Sequence, residues 1–124
     1  MSRVFPLKKI DEKKRGITLV LNSIKHEVKR VYFLKNITNN KIVRGGHKHK
    51  KNHQTLIVIN GSVKIKVIYK NKKKYFKIKN NSKNNSLYLR PEDWHEMYDF
   101  SNDCVVCVLA SEKYLKSDYI YEQN

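Results

Sequence analysis

The chain has 124 residues, 40% of them hydrophobic, and a formal charge of +16 from 27 Lys and Arg against 11 Asp and Glu. This length suits one domain, residues 1–124, around one core, and the longest apolar run, Cys104 to Ala110, is far short of the roughly 20 residues of a membrane helix. The N-terminus, M-S-R-V-F-P-L-K-K-I, carries no apolar secretory segment, so a cytoplasmic protein without a membrane partner is expected.

The basic charge is mostly Lys mixed with Asn, and the five Arg are scattered rather than gathered in a stripe interleaved with aromatics. No nucleic-acid partner is therefore expected. An anionic small ligand such as a nucleotide diphosphate suits the same field.

In chain order, Val4 to Ile10 reads as a short extended segment, and Lys13 to Gly16 as a basic turn into Ile17 to Leu21. Val28 to Ile37 is rich in β-branched and aromatic residues and lacks a helical stripe. Ile42 to His49 follows the turn-like T-N-N-K. Thr55 to Ile59 and Val63 to Tyr69 flank Asn60-Gly61-Ser62, which reads as a hairpin because Asn-Gly supports positive φ. Val63, Ile65, Val67 and Tyr69 alternate with Lys64, Lys66, Ile68 and Lys70, which predicts a strand with one wet face. Asn71 to Lys74 turns into Tyr75 to Ile78, and Lys79 to Ser86 reads as a polar surface loop. Leu87 to Leu89, His95 to Phe100 and Cys104 to Ala110 complete about nine short strands, a β-sandwich or barrel pattern. Only Ser111 to Ile120 suggests a short helix, with Ser111 as its cap.

The segment R-G-G-H-K-H-K-K-N-H-Q, Arg44 to Gln54, holds the chemistry. In an extended chain His47 and His49 project from one face. Paired imidazoles serve either to bind a transition metal or to move protons near neutral pH. Cys104 and Cys107, three apart in a strand, face opposite sides, so buried structural roles are expected rather than a dithiol pair. Arg30 and Tyr32 share a strand face, and a buried Arg30 would require an anionic partner. His26 lacks any such context and reads as solvated.

The H-x-H pair, Gln54, Gly61 and P-E-D-W-H resemble the two cupin motifs. More closely, R-G-G-H-K-H-K-K, N-G-S, W-H-E-M-Y-D-F-S-N-D-C, V-L-A-S and S-D-Y-I together resemble the nucleotide-sugar 3,4-ketoisomerases of the WxcM-like or FdtA type, from about Arg15 to Ile120. The resemblance implies an all-β jelly-roll cupin, a homodimer, and no cofactor. It implies a dTDP-linked 4-keto-6-deoxy sugar as substrate, whose ketone moves from C4 to C3. That isomerisation needs a base for the C3 proton, a proton returned at C4, and an enediol or enediolate between. His47 is expected to be the base, His49 its partner or shuttle, and Tyr32 a hydrogen-bond donor to the enediolate.

The same resemblance assigns Arg15 and Gly16 to substrate binding, since an Arg-Gly pair there accompanies a galacto-configured product. Arg44 is the leading candidate for phosphate contact. Arg30, Gln54, Trp94 and His95 are expected around the substrate, with Glu96 supporting a histidine. Metal cupins carry Glu where Gln54 stands; losing that anionic ligand, with His53 facing outward, argues against a metal site. Two alternatives are a 3,5-epimerase-like enzyme and a non-catalytic sugar- or nucleotide-binding cupin.

Overall fold

Alternation of apolar and polar side chains, interrupted by Asn, Gly, Pro and Asp, partitions the chain into short strands. The computed structural model describes residues 2–123. Its strands are β1 Arg3–Phe5, β2 Lys8–Asp11, β3 Ile17–Val20, β4 Arg30–Leu34, β5 Arg44–His49, β6 Gln54–Asn60, β7 Ser62–Tyr69, β8 Lys72–Lys79, β9 Ser86–Leu89, β10 Trp94–Tyr98, β11 Val105–Ala110 and β12 Tyr119–Ile120. Two five-stranded antiparallel sheets, β1-β9-β6-β11-β4 and β12-β5-β10-β7-β8, face each other, while β2 and β3 pair only with one another. This is the expected cupin-like jelly roll.

The core lies between the sheets. Val63, Ile65 and Val67 of β7 are at most 2% exposed and meet Leu56, Leu87 and Val106 from the other sheet. Truncating one of these leucines to Ala would cost about 2–5 kcal/mol in lost burial and cavity. Cys104 and Cys107 are both free and buried, as expected. The outward side of β7 carries Lys64 and Lys66, ion-paired to Asp99 at 3.0 Å and Glu96 at 3.7 Å. Outward positions of the other sheet are apolar instead: Val31 and Phe33 of β4 and Ile59 of β6 are more than half exposed. The β2–β3 hairpin likewise exposes Ile10, Ile17 and Leu19.

Three sequence expectations need correction. Asn60-Gly61-Ser62 does not close a hairpin: β6 and β7 belong to different sheets, and this turn is the corner between them. Gly61 has φ +73°, and a Cβ there would stand 2.7 Å from Asp103 Oδ1 and 2.8 Å from Cys104 Cα. Glycine is thus required by close approach as well as by its dihedral. The true hairpin joins β7 to β8 through Lys70 and Asn71, both with positive φ, one residue earlier than the expected turn.

The C-terminal helix is also absent. One 3-10 turn, Lys116–Asp118, stands there without side-chain capping, because the segment is drawn out to pair Tyr119 with His49 on β5. Within the polar stretch before β9, Asn85 and Ser86 are buried. Asn85 Oδ1 accepts from the Leu7 amide at 3.0 Å and from Ser86 Oγ at 3.2 Å, tying the N-terminal segment to β9.

Candidate active site

Strand β5 enters the site through Gly45 at φ +93°, where a Cβ would lie 2.9 Å from the carbonyl oxygen of His95. That close approach, at the bulge between His95 and Glu96, sets His47 directly opposite His95. Period-two alternation then turns His49 inward as well. The His47 ring centroid lies 4.9 Å from that of His49 and 5.1 Å from that of His95, both edge to face. Tyr119 of β12 packs its ring 4.6 Å from both His47 and His49.

The facing sheet supplies Arg30, Tyr32 and Gln54. Gln54, at the first position of β6, is buried and donates from Nε2 to the Tyr32 hydroxyl at 3.1 Å. The Arg30 guanidinium lies over the Tyr32 ring at 4.9 Å and near Tyr114 at 5.9 Å. Arg44, exposed at the mouth of β5, is near enough to act electrostatically on Tyr32. Among the described residues, the buried side-chain polar atoms without a hydrogen-bond partner are Arg30 Nε, His49 Nε2 and Gln54 Oε1. Orphaned polar atoms are rare in folded cores, and all three belong to this cluster.

Burial dominates the electrostatics. It lowers the His47 pKa, partly offset by a hydrogen bond to the Gly45 backbone. It takes His49 down to about 4, with His47 adding to the effect and Asp118 opposing it, and takes His95 down to about 3. All three imidazoles are therefore neutral at pH 7, as proton acceptors must be. Burial also raises the Tyr32 pKa, against the lowering influence of Arg30, so the phenol stays protonated and can donate.

His47, His49, Tyr32, Arg30, Gln54 and His95 are thus brought together. Trp94 is not. As the neighbour of His95 on β10 it lies on the opposite face of the sheet, buried at 5% exposure, where its Nε1 donates to the Tyr121 carbonyl at 3.1 Å and Lys66 lies 5.9 Å from its ring. Glu96 shares that outward face and pairs with Lys66 instead of supporting a histidine. Arg15 and Gly16 lie at the tip of the β2–β3 hairpin, where the Arg15 side chain is 84% exposed and pairs with Glu12 at 3.9 Å. His53 does face outward. Its ring and those of His26 and Tyr88 lie near-parallel, with centroids 5.8 to 6.1 Å apart in every pair, and its Nδ1 meets the Tyr88 hydroxyl at 2.8 Å. His26, expected in solvent, is half-buried there, with Nε2 2.9 Å from Thr55 Oγ1. Among the described residues no three His, Cys, Asp or Glu side chains form a group that could hold a metal ion.

Two residues of the site escaped the sequence analysis. Asp118 Oδ2 lies 3.0 Å from His49 Nδ1, and Tyr119 covers both catalytic-candidate rings. Their only signal was the S-D-Y-I string, which has no spacing relation to the histidines until β12 docks.

Residues 2–124 match the FdtA family, described as WxcM-like, C-terminal. The chain belongs to that family. Its relatives include a TDP-4-oxo-6-deoxy-alpha-D-glucose-3,4-oxoisomerase from Aneurinibacillus thermoaerophilus, 38% identical over 99% of this chain and 88% of the relative. A mutant of the 3,4-ketoisomerase QdtA from Thermoanaerobacterium thermosaccharolyticum, solved with TDP-4-keto-6-deoxyglucose, is 36% identical, with TM-score 0.86 over 98% of this chain and 87% of that one. WlaRA, a TDP-fucose-3,4-ketoisomerase from Campylobacter jejuni, is 27% identical, with TM-score 0.85 over 98% of this chain and 89% of that one. Membership of the FdtA family makes a sugar isomerase the framework for the histidine cluster.

Proposed function

We propose that this FdtA-family chain is a dTDP-4-keto-6-deoxy-D-glucose 3,4-ketoisomerase. The observation that carries it is the pair of neutral, inward-facing imidazoles of His47 and His49, 4.9 Å apart, beside a protonated phenol and orphaned polar atoms. Moving a ketone to the next carbon needs a group that takes and returns a carbon-bound proton and one that moves the hydroxyl proton between oxygens, and this cluster supplies both.

In the proposed course, His47 takes the C3 proton, which the C4 carbonyl acidifies. Tyr32, its hydroxyl placed by Gln54, donates a hydrogen bond to the enediolate oxygen. His49 carries the C3 hydroxyl proton to the C4 oxygen, and the proton held on His47 returns at C4 to leave the ketone at C3 and His47 neutral again. Arg44 and Arg30 hold the diphosphate, and His95 backs His47 from β10. The residues carry this acid–base course without a metal or cofactor.

We further propose a cytoplasmic homodimer. Support comes from the apolar outer face at Val31, Phe33 and Ile59 and from the hairpin apolar residues Ile10, Ile17 and Leu19, all exposed in one chain. The same hairpin carries Arg15 and Gly16, through which the galacto configuration at C4 would be set.

Proton NMR in D₂O with dTDP-4-keto-6-deoxyglucose, after chelation, tests the function. Loss of the C3 proton signal with growth of a 3-keto sugar is expected, and coupling constants report the C4 configuration. Exchange at C5 instead would identify an epimerase, and no turnover would refute the isomerase.

A further inference from the structure

The acid–base course above uses His47 and His49 but assigns nothing to Asp118. This residue ends the 3-10 turn and precedes β12, in a segment that reaches β5 from the far end of the chain. Its carboxylate is nearly fully buried and is divided between two donors. Oδ1 accepts from the Lys51 amide at 2.8 Å, and Oδ2 lies 3.0 Å from His49 Nδ1. A carboxylate only accepts, so the hydrogen must sit on Nδ1. In a neutral imidazole, that leaves Nε2 with its lone pair free. Nε2 is the atom that is buried without a partner.

We propose that Asp118 is a positioning residue for the isomerisation: it fixes His49 as the Nδ1–H tautomer and aims a basic Nε2 at the reacting sugar. The inference rests on the isomerase reading and deepens it. When Nε2 takes a proton from a substrate hydroxyl or from His47, the ring becomes imidazolium beside an unchanged carboxylate. When Nε2 returns that proton, the neutral Nδ1–H form is restored. Asp118 neither gains nor loses a proton in the cycle. It orients the ring and offsets its transient charge.

The bond to His49 is not needed to hold the C-terminal segment in place. That segment is also fixed by β12 pairing on β5, by the Lys50 amide donating to the Asp118 carbonyl at 2.9 Å, and by Trp94 Nε1 on the Tyr121 carbonyl at 3.1 Å. A tail anchor alone would leave Oδ2 free to face Lys51 or solvent. Its placement on a buried imidazole is what a proton-transfer site requires.

The test is ¹⁵N NMR of histidine-labelled protein near pH 7, with the His49 signals assigned by comparison with His49→Gln. Wild type is expected to show His49 as Nδ1–H. In Asp118→Asn the amide can keep Oδ1 on the Lys51 amide while its NH₂ faces Nδ1, so the ring should switch to Nε2–H. kcat should then fall about 10²- to 10⁴-fold, with KM and the urea midpoint close to wild type.

An Nε2–H or doubly protonated His49 in the wild type would overturn the proposal, and that reading needs no variant to fold. Near-normal turnover by Asp118→Asn with a switched tautomer would also overturn it. A loss of kcat with an unswitched tautomer and a collapsed urea midpoint would make Asp118 a tail anchor instead. Wild-type protein that never isomerises the sugar would refute the isomerase reading, whereas turnover with the wrong tautomer would refute only the role of Asp118.

Discussion

Acid should destabilise this fold well before its carboxylates titrate. His49 and His95 are buried neutral, at pKa values of about 4 and about 3, whereas in the unfolded chain each returns to about 6.5. Between those limits the unfolded state binds two protons that the folded state does not. Stability is therefore complete above about pH 7 and is lost as pH falls. Each group contributes a slope of up to about 1.4 kcal/mol per pH unit, so the pair gives about 2.5 kcal/mol per unit near pH 5.5. His47 and His53 shift in the same direction and can only steepen it. Against a typical total of about 5–15 kcal/mol, two units of acidification remove a large share of the stability.

Urea titrations followed by the emission of Trp94, the single tryptophan, measure this directly at a series of pH values between 6.5 and 5. That window lies above the ordinary carboxylate range near 4. The variant His95→Asn can keep a donor toward the Asp93 carbonyl, which His95 Nδ1 meets at 3.2 Å, while removing one titrating group. Its slope should be lower by an amount that grows from about 0.7 kcal/mol per unit at pH 6.5 to about 1.3 at pH 5, whatever its absolute stability. A flat wild-type profile, or equal slopes in both proteins, would refute the account of buried neutral imidazoles.

His47→Asn should lower kcat by about 10²- to 10⁴-fold with circular dichroism unchanged, and wild-type turnover would remove His47 as the base. Tyr32→Phe deletes the hydroxyl that Gln54 holds at 3.1 Å; kcat should fall about 10²-fold with KM nearly constant if the phenol stabilises the enediolate. Gly61→Ala forces a side chain into positive φ against Asp103 and Cys104. Urea unfolding should show a loss of about 3 kcal/mol.

Strand existence was legible because burial in a sandwich imposes period-two alternation on local sequence, as in Val63 to Tyr69. Strand partnership was not. Asn60-Gly61 carries a hairpin's local signature, yet here it meets a crossing between sheets, and the dihedral preference is the same in both. Ser111 to Ile120 has acceptable helix formers, but pairing of Tyr119 with His49 overrides a weak propensity. Trp94 and His95 are chain neighbours with opposite fates, settled by which face of β10 turns inward.

Local sequence carries the all-β class, the shared face of His47 and His49, and, through its motifs, the FdtA-type resemblance. All of these depend on residues near one another in the chain or on strings matched as strings. Folding alone joins His95, Gln54, Tyr32 and Arg30 to the two histidines and brings Asp118, 69 positions from His49, against its ring. Those contacts arise from sheet register and from the docking of β12. Energetically they depend on burying one face against another, which leaves no periodic trace along the chain.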